Sequence, residues 1–306
     1  MNCKKSGFIR HIHPPYVVAD KCGGFTLMEL LITLAIISLL VGLLLPALSV
    51  VRKAAREAKQ QAQITTLDLA ISAFKNDYGD YPPSAGPGPL PDNYCGSQKL
   101  AEALLGWDLR GFHPKSAWRA DGCYPPPPAG NFVYLNTDQN LSERKGPYLE
   151  LATTNAFRLG DSPAGAGLFA NTNPLAPEPY VICDVFGVKK ITLPTGKIVS
   201  AGTPILYYKA NTLSKNIDDP ILPNRIYDFS DNEFLIALGR LSDHRQHKLY
   251  DPIPEPLRVY FYEYIRDPKI PATERPWPYR PDSYILISAG ADGLYGTPDD
   301  IRNFGY

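Results

Sequence analysis

From Phe25 to Leu48 the chain carries one charge, Glu29, and is otherwise Leu, Ile, Val, Ala and a few small residues. A helix of about 20 apolar residues spans the hydrocarbon core of a bilayer. This run therefore dictates the first element, a helix apolar on every side that needs lipid or sister helices around it. Glu29 stands near its start. A carboxylate inside a membrane is expensive unless paired, and such residues mark function.

The stretch Gly23-Gly24-Phe25-Thr26-Leu27-Met28-Glu29-Leu30 heads this run behind a basic segment. It resembles the class III signal of type IV pilins and type II secretion pseudopilins. The resemblance implies a leader, residues 1–24, cut after Gly24 by a membrane prepilin peptidase, and methylation of the new N-terminus at Phe25. It also implies an assembly role for Glu29. Pairing of its carboxylate with the amino group of Phe25 on a neighbouring subunit would offset the desolvation of both charges. An ordinary signal peptide has a short apolar core with a small-residue cleavage site behind it. Here the run is longer and the glycines precede it.

Beyond Val51 the pattern turns polar, with Arg52, Lys53, Arg56, Glu57, Lys59, Gln60 and Gln61. A second apolar stripe then appears at Ile64, Leu67, Ile71, Phe74 and Tyr78. Steps of three and four place these on one helix face, to be buried against a sheet. Phe25 to about Asp77 thus reads as one helix of about 80 Å, with a kink expected at Pro46. Gly79, Pro82 and Pro83 end it.

The whole chain is neutral, with 31 basic and 31 acidic residues. The leader takes Lys4, Lys5, Arg10 and Lys21 against Asp20, which leaves the mature chain at net −3. Nothing in that balance speaks for nucleic acid. Basic residues ahead of the apolar run hold that end in the cytoplasm. This predicts a single-pass inner-membrane protein with residues 52–306 in the periplasm. Cys3 and Cys22 would leave with the leader, as would His11 and His13. Cys95 and Cys123 flank a proline-rich region and could form a disulfide in an oxidising compartment, the alternative being three unpaired thiols with Cys183.

The remainder is rich in proline and tyrosine and poor in helix formers, as expected of short strands joined by ordered loops. Leu100–Leu105 reads as a short helix and Pro125–Pro128 as polyproline II. Residues 188–203 look like a hairpin. Ile205–Lys209, Phe234–Leu238, Val259–Tyr264 and Tyr284–Ser288 read as strands, by β-branched and aromatic content between turn residues. The expected class is α+β: a long N-terminal helix, transmembrane in its first half (25–51), packed through residues 52–78 on a small antiparallel sheet. Long insertions fall at about 84–180 and 211–282, and these should lie on the exterior of any assembly. The cluster Asp243-His244-Arg245-Gln246-His247 lacks a nucleophile or carboxylate pair at a recognisable spacing and reads as a solvated loop.

Other segments carry the resemblance further. Gly79-Asp80-Tyr81-Pro82, Gly146-Pro147-Tyr148-Leu149, Asp184-Val185-Phe186-Gly187 and Pro204-Ile205-Leu206-Tyr207-Tyr208 are similar to stretches of the major pseudopilin. So is Ser288-Ala289-Gly290-Ala291-Asp292-Gly293, followed by Asp299-Asp300-Ile301. Calcium takes six to eight oxygen ligands, and glycines let a loop fold tightly round it. The resemblance implies a Ca2+ loop over 288–301, with side chains of Asp292, Asp299 and Asp300 and carbonyls of Ser288 and Leu294 as ligands. Without the ion, such a loop should be disordered.

The function implied is structural rather than enzymatic: a pilin-like subunit that polymerises with itself and other pseudopilins on an inner-membrane assembly platform. A type II secretion pseudopilus is the first reading and a type IV or competence pilus the second. A pilin-anchored hydrolase or carbohydrate-binding protein, using Trp107, Trp118 and Trp277, is a third.

Overall fold

A computed structural model describes residues 24–85, 93–124, 130–162, 165–193, 195–217, 224–250, 259–271 and 275–305. The leader histidines and the run Pro125–Pro128 lie outside the described residues. The chain divides into two compact units between Arg52 and Lys53. One helix, α1 (Leu27–Tyr78), contributes to both.

In the first unit every described side chain is exposed, including Leu27, Leu40 and Leu45. The helix is long and apolar enough to cross a membrane by length and composition. It continues through Pro46, whose carbonyl accepts the Ser49 hydroxyl at 2.7 Å.

The second unit is α+β, as expected. Its elements in order are α2 (Gly96–Leu105), β1 (Cys123–Tyr124), β2 (Asn131–Phe132), α3 (Asp138–Glu143), β3 (Ala156–Arg158) and β4 (Tyr180–Ile182). They continue with β5 (Lys189–Thr192), β6 (Ile198–Ala201), β7 (Leu206–Lys209), α4 (Glu233–Ala237), α5 (Val259–Ile265), β8 (Tyr284–Ser288) and β9 (Ile301–Arg302). All strand pairs are antiparallel, in the order β1-β2, β3-β4, β5-β6 and β7-β8-β9. The hairpin expected over 188–203 is β5-β6. A bridge at Cys183 and Pro204, with Ile205 N–H donating to the Ile182 carbonyl at 2.8 Å, ties β4 to the strand that becomes β7.

The apolar stripe of α1 is the buried one. Ile64, Leu67, Ile71 and Phe74 are each at most 3% exposed. Burial of each stabilises the fold by roughly 2 kcal/mol. Side chains alternate across a strand, so Ile205, Tyr207, Tyr284 and Leu286 meet α1 and α2 on one face. Leu206, Tyr208, Ile285 and Ile287 point to the other, where Ile236, Phe261 and Ile265 cover them. The described residues of 211–282 thus supply a second apolar layer, with Ile226, Phe229, Ile236, Phe261 and Ile265 in the core. A strand buried on both faces reads as a continuous apolar run, which is what Tyr-Ile-Leu-Ile in β8 is.

Two expected strands are helices. Phe234–Leu238 lies in α4, opened by Ile236 N–H donating to the Asn232 carbonyl. Val259–Tyr264 lies in α5. Short apolar runs do not distinguish strand from helix by periodicity. Here Phe261 and Ile265, four apart, fill the core, while Tyr260 and Tyr264, also four apart, reach the C-terminal loop.

The Cys95–Cys123 disulfide is not formed, and all three cysteines of the described residues are thiols. Cys95 is buried at the N-cap of α2, and Cys123 sits in β1, where its thiol faces the Asp121 carbonyl at 3.4 Å. What ties the first insertion together is Glu102. This α2 carboxylate is 2% exposed and accepts hydroxyls from Ser116 (2.5 Å), Tyr134 (2.5 Å) and Tyr94 (2.6 Å).

Candidate functional site

Two places hold the residues singled out by the sequence. At the N-terminal place, Gly24 is exposed, with nothing within 4 Å of where a Cβ would stand, and Phe25 is 75% exposed. None of the described residues covers the bond between them. Thr26 and Glu29 then form a reciprocal pair. The Thr26 N–H and hydroxyl donate to Glu29 Oε2 at 2.9 and 2.8 Å, and the Glu29 N–H donates to Thr26 Oγ1 at 3.2 Å. This is a capping box, in which an N-cap hydroxyl and a glutamate three residues on satisfy otherwise unpartnered N–H groups. Glu29 thus caps its own helix in the single chain. Thr-x-x-Glu before an apolar run is the sequence signature of this cap, and it marks Thr26 beside Glu29.

The C-terminal place is the loop after β8. Gly290 has φ +64°, and a Cβ there would lie 2.3 Å from the Asp299 carbonyl oxygen, so the loop folds tightly on itself. The Thr297 hydroxyl sits among three oxygens: Asp299 Oδ1 at 2.6 Å, the Leu294 carbonyl at 3.1 Å and Asp300 Oδ1 at 3.4 Å. A hydroxyl has one proton to give, so two of these acceptors face oxygen without one. Asp292 Oδ1 accepts the Leu294 N–H at 2.7 Å, and its own N–H donates to Asp299 Oδ2 at 3.0 Å. Ser288 is paired with Ile301 across β8 and β9, and its hydroxyl donates to Asp184 Oδ2 at 3.3 Å. Among the described residues no three of His, Cys, Asp and Glu gather as a metal-holding group.

Protein donors also hold the loop. Asp300 Oδ2 accepts the Tyr264 hydroxyl and the Gly296 N–H (2.7 Å), and Tyr260 donates to the Gly296 carbonyl at 2.8 Å. Burial pushes the Asp300 carboxyl up to about 6, with the Asp299 charge adding to it. Burial acts on Asp299 too, but hydrogen bonds from Thr297 and the Asp292 N–H outweigh it and hold that carboxyl below its ordinary value. His247 accepts the Tyr295 N–H at Nδ1 (3.1 Å), with its ring 4.5 Å from that of Tyr295. Burial lowers its pKa to about 4. The expected solvated loop is therefore solvated at Asp243–Gln246 and buried at His247. Asp184, 1% exposed, accepts N–H groups of Phe186 and Thr203 at 3.1 Å, and burial pushes its carboxyl up to about 8.

The family model described as the prokaryotic N-terminal methylation motif matches residues 20–45. No curated protein and no solved structure matches the chain. The matched residues are those of the Gly24–Phe25 bond, the capping box and the apolar half of α1. The chain thus carries the N-terminal methylation motif of prokaryotic pilin-type proteins at the head of a long apolar helix on an α+β domain.

Proposed function

We propose that this chain is a structural subunit of a type II secretion pseudopilus. A prepilin peptidase cuts it after Gly24 and methylates Phe25. The mature subunit is held in the inner membrane by residues 25–51, with its domain in the periplasm, and polymerises through α1 with copies of itself and other pseudopilins. It has no enzymatic role. The observation that carries this reading is the open Gly24–Phe25 bond directly ahead of the Thr26–Glu29 cap and the apolar helix. On assembly the Glu29 carboxylate passes from the Thr26 N–H of its own chain to the Phe25 amine of a neighbour. Both are positively polarised, so the exchange keeps the charge compensated.

The test is Glu29→Ala in cells. Cleavage at Gly24 and membrane insertion are expected to persist while incorporation into filaments is lost. Normal incorporation refutes the pairing. Deleting the gene separates the branches: lost protein secretion supports a pseudopilus, whereas lost surface pili or DNA uptake with intact secretion assigns the chain to a type IV or competence pilus.

Calcium at the C-terminal loop belongs to the same proposal, supported by the excess of acceptors around Thr297. Leu294, Asp299 and Asp300, with the Thr297 hydroxyl, would hold the ion. Calcium should raise the melting temperature of the full chain in detergent, and Asp299→Asn should remove the increment. A melting temperature indifferent to calcium overturns this assignment.

A further inference from the structure

The mature chain is net −3, yet Arg52, Lys53, Arg56 and Lys59 against Glu57 make residues 52–59 net +3, so the rest is −6. The strip begins at the residue after the apolar run. Lys53, Arg56 and Lys59 are exposed, and the one ion pair described for them is Lys53 to Glu57 at 3.7 Å. Steps of three keep the three cations within about a third of the helix circumference, and their Cα atoms span about 9 Å of axis. That span exceeds the headgroup layer, about 5–7 Å on each side of the hydrocarbon core, by a few ångströms that the long Lys and Arg side chains can reach across. It is also about one Debye length at physiological salt.

We infer that Lys53, Arg56 and Lys59 form a surface for the headgroups of anionic phospholipids in the leaflet that α1 leaves on its way to the domain. The inference rests on the reading of residues 25–51 as membrane-inserted. A basic strip at this depth attracts phosphate-bearing headgroups, and the net-negative remainder of the mature chain is repelled from the same surface. The strip therefore anchors the flank of the apolar run opposite to the leader. After cleavage it is the only basic cluster beside that run, since Lys4, Lys5, Arg10 and Lys21 leave with the leader.

Each cation near an anionic surface contributes about fivefold in affinity, so three contribute on the order of a hundredfold. The experiment uses the full chain in detergent micelles, titrated separately with phosphatidylglycerol and phosphatidylcholine, with bound lipids counted by native mass spectrometry. Phosphatidylglycerol should be retained on the order of a hundredfold more strongly than phosphatidylcholine, and the difference should shrink at about 0.5 M salt. The triple variant Lys53→Gln, Arg56→Gln, Lys59→Gln should retain both lipids alike. The charge-keeping variant Lys53→Arg, Arg56→Lys, Lys59→Arg should behave as the parent. Equal retention of the two lipids by the parent chain overturns the inference. So does an unchanged preference in the glutamine variant, a lost preference in the charge-keeping variant, or displacement by equimolar inorganic phosphate, which would mark a free-anion site. Failure of the underlying reading looks different: the chain would then be recovered from cells without membranes and without detergent.

Discussion

Removing the Glu102 carboxylate should loosen the first insertion from α2, and its size can be worked from the three hydroxyls it accepts. Tyr94 and Tyr134 are 1% and 3% exposed, so neither hydroxyl can turn to water. A buried donor stranded without an acceptor costs about 1–3 kcal/mol. Two such donors in Glu102→Ala, the half-buried Ser116 being able to turn to water, give roughly 2–6 kcal/mol before any relaxation, with about 4 as the central value. Glu102→Gln keeps one carbonyl oxygen for Ser116 and Tyr134 and removes the carboxylate acceptor of the Tyr94 hydroxyl alone, for about 1–3 kcal/mol. A domain of this size loses about 2–4 °C of melting temperature per kcal/mol. Alanine should thus cost about 8–16 °C and glutamine a fraction of that. The pH dependence adds a second readout. Burial pushes the Glu102 carboxyl above its ordinary value, against hydrogen bonds from Ser116, Tyr134 and Tyr94. A group raised in the folded state contributes stability that is fully present below its unfolded pKa and lost as pH rises through the folded one. Glutamine cannot titrate, so its penalty relative to the parent should be larger at about pH 5 than at about pH 8. Thermal unfolding of the full chain in mild detergent at the two pH values measures both. An alanine cost under about 1 kcal/mol, or a glutamine cost equal to it, refutes the assignment of Glu102 as the node.

Three further outcomes are expected. Phe74→Ala removes a side chain that packs against the rings of Tyr78, Phe112, Trp118 and Tyr148. It should cost about 3–5 kcal/mol in the same melt, and a loss under about 1 would show that α1 is not held by that face. Native alkylation of the mature chain should modify Cys123 quickly and leave the buried Cys95 and Cys183 until unfolding, whereas one slow phase for all three would contradict the described burial. Thr26→Val removes the hydroxyl of the capping box and should fray the first helical turn, seen as faster amide exchange at Leu27–Leu30, while Thr26→Ser should not.

The sequence shows an element best where one residue type can serve only one purpose. The apolar run after Phe25, the stripe from Ile64 to Phe74, and Gly79 after the last helical residue are of this kind, and each stands where expected. The misreadings fall on α4 and α5, whose aromatic and branched residues suit a strand as well as a helix. Their conformation is decided by the sheet face they must cover, which is a tertiary fact. The C-terminal loop was visible as carboxylates and glycines, but its closure depends on Tyr260, Tyr264 and His247, remote in sequence. Asp184 likewise gains its role from Thr203 and Ser288, which the fold brings to it.

The free edge of β7 has its own consequence. The Asn232 side chain donates to the Tyr207 carbonyl at 2.8 Å, and Ser84 Oγ accepts the Lys209 N–H at 2.9 Å. An open strand edge is a template for another chain. These two side chains occupy the template at both ends of the strand. In the proposed filament this would keep neighbouring domains from pairing along this edge. A subunit that assembles through α1, as proposed, has pairing along this edge blocked by two side chains.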